Sequence, residues 1–260
     1  MNTLLFSLSY ASPEELEEYL QKLNLQWYLI PIFVFVLYII FTEIKAKNYS
    51  TLLGGLAFWL MDVFNEVWNS WVYAITGEPV WGTTINGNSG FQILIGYNIE
   101  ISFMFFVLGV VSCKMLKTSD NEEGNPHYLT DPNNMYYLMN VKRKDLTQEQ
   151  KKTKTRAVLG RVIPAVTGSI LACITEIILH AGGLLSWAKA WWQPTVPYLL
   201  FLIGYCPFFF IAFIVHDLPR KKQIITISII IGIELILIIV TGSMGMLGKQ
   251  IPNNWPFLKG

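Results

Sequence analysis

The chain has 260 residues, of which 53% are hydrophobic and only 14% are charged. Soluble domains carry about 25% charged residues, so this composition excludes an ordinary soluble globular domain. The net charge of +1 offers no basic surface for nucleic acid, and we expect no nucleic-acid partner. The mean hydropathy of +0.42 indicates several membrane-spanning segments instead.

The N-terminal residues 1–24 predict a short helix on the membrane surface. Ser12 suits the N-cap and Pro13 suits the first helical position, with Glu15 completing a capping box. An apolar stripe follows at helical spacing, formed by Leu16, Tyr19, Leu20 and Leu23. Such a stripe is typical of an amphipathic helix that lies in the interface.

Six later segments are long and apolar enough to cross the hydrocarbon, which requires about 20 helical residues. We therefore predict an all-α integral membrane fold, a six-transmembrane-helix bundle that forms one domain over residues 25–260. In the fourth span, Arg161 is expected to reach the interface and Pro164 to lie in the first turns. The predicted spans are approximately 25–46, 51–76, 91–116, 157–182, 195–216 and 223–247.

The basic residues predict the orientation of the bundle. Of the 19 Lys and Arg residues, 15 lie in or next to the first, third and fifth loops. Because loops rich in Lys and Arg stay in the cytoplasm, we predict that both termini lie outside. The long third loop, about residues 117–156, is then cytoplasmic.

A polar face interrupts the apolar and aromatic second span. Asp62, Asn65, Glu66 and Asn69 are spaced i, i+3, i+4 and i+7, so they share one helix face, and Trp68 lies beside them. Charges are costly in hydrocarbon and usually mark a functional interior. We predict that Asp62 and Glu66 are catalytic and that the two asparagines and Trp68 bind substrate.

Other spans place acids at a similar depth. Taking 1.5 Å per residue, Glu66, Glu100 and Glu176 lie about 15, 14 and 9 Å from the outer surface. Glu100 and Glu176 are therefore added as catalytic residues, and Asn98 as a substrate-binding residue. For each acid the alternative is a structural hydrogen bond between helices, and for Glu234 in the sixth span the two interpretations stay balanced.

A metal site is a further hypothesis. Glu176 and His180 are spaced i, i+4 and are predicted as ligands of zinc, iron or manganese. Support for a divalent metal is weak, because the chain has three histidines and lacks the Glu-x-x-His spacing of di-iron bundles. The cofactor is left open.

Two functions are consistent with these residues. The first is a membrane enzyme that acts on a lipid or isoprenoid-like apolar substrate by carboxylate acid/base chemistry, with or without a metal. The alternative is a proton- or cation-coupled transporter that uses the same acids. The expected partners are membrane lipid and a small apolar substrate, and oligomerisation is compatible with the sequence.

The loop at residues 186–197 contains three tryptophans that have two interpretations. The first is that they anchor the protein in the headgroup region, where Trp is enriched. The second is that they form aromatic walls around a lipid or isoprenoid site. The residues concerned are Trp187, Trp191 and Trp192.

Overall fold

The computed structural model describes residues 27–83, 92–94, 96–116, 142–182 and 185–247. In this part the chain forms six long helices, four short strands and a 3-10 turn at Arg143–Asp145. The predicted surface helix within residues 1–24 lies outside the described residues. The long helices are α1 Leu29–Lys45, α2 Tyr49–Thr76, α3 Ile99–Lys114, α4 Gln148–Ala181, α5 Pro197–Asp217 and α6 Arg220–Ser243.

Each long helix overlaps one predicted span, but the helices differ in how well they suit a membrane. Among the described residues, α4, α5 and α6 are long and apolar enough to cross, with 34, 21 and 24 residues. The helices α1 and α3 have only 17 and 16 residues. The mainly helical membrane fold is therefore confirmed, whereas six crossings remain a prediction.

Helix α2 is the centre of the bundle and packs against α3, α5 and α6. Small residues bring its neighbours close: a Cβ at Gly109 of α3 would lie 2.5 Å from the Cβ of Phe58 and 2.9 Å from the carbonyl oxygen of Gly55. Glycines at such crossings let helix backbones approach and gain van der Waals contact. Phe58 also packs its ring against Phe208 and Phe209 of α5, with centroids 5.4 and 4.9 Å away.

Helix α4 begins at Gln148, nine residues before the predicted start of its span. Thr147 and Gln150 form a capping box that explains the early start, with hydrogen bonds of 3.2 and 2.9 Å. Pro164 consequently lies well inside the helix and not in its first turns. The guanidinium of Arg161 binds both carboxylate oxygens of Asp217, the last residue of α5, at 2.6 and 3.0 Å.

Helix α5 changes its winding at the level of the polar site. Its first residues Pro197–Leu199 lead into a π-helical segment, Leu200–Tyr205, which is followed by regular α-helix over Cys206–Asp217. Pro207, which has no N–H to donate, is the second residue after the π-helical segment. Such π segments frequently occur at functional sites, and this one carries Tyr205.

Two small antiparallel sheets close the end of the bundle. Strand β1 (Trp81–Thr83) pairs with β4 (Leu185–Trp187), and β2 (Gln92–Leu94) pairs with β3 (Tyr97–Asn98). The all-α prediction omitted these strands. Helix α3 begins at Ile99 and not near residue 91, because the side chain of Asn98 caps the amide of Ile101 at 2.8 Å.

Helix α6 contacts the bundle through a narrow, partly polar face. Its buried residues include Gln223, Glu234 and Thr241, while most of its isoleucines are exposed. The Gln223 amide donates to the carbonyl oxygens of Val215 and His216 at 3.0 and 2.9 Å. This arrangement suits a helix that has lipid on its other faces.

Candidate functional site

A cavity of about 980 Å³ lies between α2, α3, α4 and α5. Its volume is at the upper end of the range for ligand sites, about 300–1,000 Å³. All four acids predicted as catalytic line it, namely Asp62, Glu66, Glu100 and Glu176. Helix α2 supplies two of them, α3 supplies Glu100 from its first turn, and α4 supplies Glu176 near its C-terminal end.

Three of these carboxylates accept a hydrogen bond from an aromatic side chain. The indole N–H of Trp81 donates to Glu66 at 2.7 Å, and the hydroxyl of Tyr28 donates to Glu100 at 2.8 Å. The indole N–H of Trp187 donates to Glu176 at 3.2 Å. Helical periodicity did not predict these three partners, which come from the strands or from just before α1.

Two carboxylate oxygens that border the cavity are buried without a hydrogen-bond partner among the described residues. They are Oδ2 of Asp62 and Oε2 of Glu66, whose residues are only 4% and 3% exposed. A buried acceptor without a donor costs free energy. These oxygens are therefore available to a proton or to a donor group on a ligand.

The predicted substrate-binding residues separate into two groups. Asn65 and Asn98 line the cavity. Asn69 does not: its amide binds the backbone of the β1 region, donating to the carbonyl of Trp81 and accepting from the amide of Val80, both at 2.8 Å. Trp68 also lies outside the lining and packs its ring 5.9 Å from that of Trp81. These two side chains position Trp81 over Glu66.

The two predicted metal ligands, His180 and Glu176, each have other partners in the structure. The Nδ1 atom of His180 lies 3.0 Å from the carbonyl oxygen of Leu185, and its ring stacks on Trp187 at 4.3 Å. Glu176, its predicted co-ligand, is instead bonded to the indole of the same tryptophan. Within the described ranges, no group of three or more His, Cys, Asp or Glu side chains is placed to hold a metal ion.

The tryptophans of the 186–197 loop do not all anchor in the headgroups. Trp187 and Trp192 are only 2% and 3% exposed, so the headgroup interpretation is wrong for these two. Trp192 lines the cavity and packs 5.1 Å from the ring of Trp81. Trp191 is 40% exposed and remains compatible with an interfacial position.

The rest of the cavity wall is apolar and follows the lengths of α3 and α4. On α3 the lining residues recur on one face, and they include Met104, Leu108, Val111 and Met115. On α4 they include Pro164, Thr167, Gly168, Leu171, Ala172 and Thr175. The floor is formed by α5 through Tyr205, Phe208, Phe209 and Phe213.

The cavity opens sideways between α3 and α4. Met104, Val111, Met115 and Leu171 line it and are also exposed at the protein surface. Among the described residues, helix α4 packs mainly on α5 and β4, and these residues leave its α3-facing side uncovered. The opening is therefore a lateral one, between two helices.

Sequence comparisons show the family of this chain. The profile of an uncharacterized membrane protein family matches residues 11–124 and 133–243. An uncharacterized protein of Archaeoglobus fulgidus is 36% identical over 217 residues, which cover 83% of this chain and 87% of the relative. No solved structure matches the chain.

Proposed function

The chain belongs to an uncharacterized family of membrane proteins, and we propose that it is a membrane enzyme acting on a lipid or isoprenoid-like substrate. Its integral membrane location is supported by the family and by the three apolar helices. One observation carries the proposal: four carboxyl groups line a largely apolar cavity that opens between two helices.

The proposed chemistry is proton transfer to and from carbon. One carboxylic acid, Glu66 or Glu100, adds its proton to a carbon–carbon double bond, and the adjacent carbon becomes cationic. The other carboxylate then removes a proton from a carbon next to the cation, so a double bond re-forms. This isomerisation or cyclisation consumes no oxidant or reductant. Asp62 and Asn65 orient the reacting groups, and Glu176 supplies a second acid/base group.

The aromatic lining suits such an intermediate. Trp81 and Trp192 lie at the carboxyl end of the cavity, and the rings of Phe105, Tyr205 and Phe208 continue the wall. The faces of aromatic rings attract a cation, most strongly for Trp. A carbocation formed here would therefore be stabilised away from water.

Solvent deuterium provides the test of the proposed reaction. The purified protein is incubated in deuterated water with the total lipid extract of its source membrane, and the lipids are analysed by mass spectrometry. We expect a lipid that gains carbon-bound deuterium with the wild-type protein and not with Glu66→Gln. The exposed acid Glu78 provides the matched control, because Glu78→Gln leaves the cavity unchanged. Equal labelling by the wild type and Glu66→Gln would contradict the proposal.

A proton- or cation-coupled carrier is the second candidate, and one observation favours it. Asp62 interacts electrostatically with Glu234 of α6 as well as with Glu66 and Glu176, so acids extend beyond the cavity lining. The Oε1 atom of Glu234 is buried without a partner among the described residues. Proton flux in liposomes that Glu66→Gln abolishes, with no lipid labelled, would favour the carrier over the enzyme.

A further inference from the structure

We propose that the cavity takes a single-chain amphiphile whose head donates hydrogen bonds and carries no negative charge, such as a long-chain alcohol or amine. This inference rests on the proposed function and names the substrate class of the same site. It separates this class from phosphorylated lipids, diphosphates and fatty acids, which share the apolar chain but have anionic heads.

The polar end of the cavity determines the chemistry of the head. The buried Asp62 Oδ2 and Glu66 Oε2 lack partners among the described residues and can only accept while their carboxyls are ionised. An ammonium head has enough donors for both atoms, and a hydroxyl head can donate to one of them. The indole N–H of Trp81 and the hydroxyl of Tyr28 already donate to Glu66 and Glu100. These two donors are therefore engaged by the carboxylates and do not bind an anionic head.

The lining offers no cationic group to an anionic head. Among the described residues that line the cavity there are four acids and no Lys, Arg or His. Phosphate and carboxylate heads are normally bound by Arg, Lys or a helix N-terminus. Helix α3, whose N-terminus reaches this cavity, already has Asn98 as its cap and Glu100 in its first turn. The N-cap residue of α1, Tyr28, also lines the cavity, and its hydroxyl donates to Glu100. A phosphate or carboxylate head would therefore find no cationic partner among the described lining residues.

The apolar part of the cavity determines the shape of the tail. The lining residues of α3 run from Ile101 to Met115, which corresponds to about 21 Å of helix. The groove is therefore longer than one hydrocarbon leaflet, which is roughly 15 Å thick. A Cβ at Gly168 would lie 2.6 Å from the ring of Phe209, so the groove floor is closely packed there. A groove of this length can hold an extended apolar chain.

The lateral opening supplies the route of entry. Thr175 of α4 lines the cavity and is exposed at the opening, whereas its neighbour Ile174 is 48% exposed and is not among the lining residues. A large side chain at position 175 would narrow the groove. The same side chain at position 174 would point into lipid, which makes the two positions a matched pair.

The experiment compares four amphiphiles that have the same sixteen-carbon chain. Full-length protein is placed in phosphatidylcholine nanodiscs, and its thermal unfolding midpoint is measured with hexadecanol, hexadecylamine, hexadecyl phosphate or palmitate. We expect hexadecanol and hexadecylamine to raise the midpoint and the two anionic compounds to leave it unchanged. The increase should disappear in Thr175→Trp and persist in Ile174→Trp.

Each outcome supports or overturns the inference. An equal rise with hexadecyl phosphate or palmitate, no rise with any compound, or a rise that survives Thr175→Trp would overturn it. Selective stabilisation without deuterium transfer to lipid would leave this inference standing and refute the proposed reaction. Glu66-dependent deuterium transfer together with stabilisation by anionic heads would refute only the substrate class.

Discussion

At the scale of single residues, the site is built from pairs of a carboxylate and an aromatic donor. The hydrogen bond from Tyr28 to Glu100 joins residues 72 positions apart, and the bond from Trp81 to Glu66 joins residues 15 apart. Helical spacing predicted that Asp62 and Glu66 share a face, and a common depth predicted that Glu100 and Glu176 join them. The aromatic partners could not be predicted, because periodicity contains no information about contacts between distant segments.

The Trp81–Glu66 pair leads to a prediction about stability. In Glu66→Gln the side-chain carbonyl can still accept from the indole, so we expect a small change in the unfolding midpoint. In Glu66→Leu the buried indole N–H loses its acceptor, which should cost about 1–3 kcal/mol. Thermal unfolding in detergent measures both. If Glu66→Gln lowered the stability as much as Glu66→Leu does, the charge of Glu66 and not its hydrogen bond to the indole would be what stabilises the fold.

At the scale of helices and strands, the apolar pattern located all six long helices but misplaced some of their ends. The run FQILIGY at residues 91–97 was assigned to the third span, yet its described residues belong to β2, β3 and their connection. A short apolar run has the same composition in a strand as in a buried helix end, so the pattern does not distinguish them. The capping side chains of Asn98 and Thr147 determine where α3 and α4 begin.

The crossing of α2 and α3 leads to a prediction at this scale. Gly109→Ala would place a methyl group 2.5 Å from the Cβ of Phe58, and we expect a loss of about 1–3 kcal/mol from overpacking. Gly232→Ala is the matched control, since a Cβ there meets nothing within 4 Å. Both substitutions replace a helical glycine by alanine, so the gain in helix propensity is the same and cancels in the comparison. Chemical unfolding in detergent compares them, and equal stability of the two would disprove the close packing.

At the scale of the whole molecule, composition and the distribution of basic residues predicted a membrane protein with its polar site in the outer half of the bilayer. Strands β1 and β4 follow the C-terminal ends of α2 and α4, and Glu66, Glu100 and Glu176 lie in the halves of their helices that are nearer to the strands. The contacts between the described residues do not show which end of the bundle faces the outside of the cell. The orientation therefore stays a prediction from the Lys and Arg residues.

Single cysteines test the orientation. Glu78 and Lys144 are exposed and lie on opposite sides of the predicted bundle. With Cys113, Cys173 and Cys206 replaced by alanine, Glu78→Cys should react with a membrane-impermeant maleimide in intact cells. Lys144→Cys should react only after permeabilisation. The reverse pattern would invert the predicted topology.

The proposed function and the proposed substrate class both require a lipid chain in the groove between α3 and α4 with its head at the carboxyl cluster. Photolabelling tests this claim most directly, using hexadecanol that carries a diazirine in its chain, followed by peptide sequencing. We predict that the label concentrates on groove residues such as Leu108 and Leu171 and exceeds that on Ile233 and Ile236, which are exposed on α6. Labelling of α6 at the same level as the groove would contradict the claim.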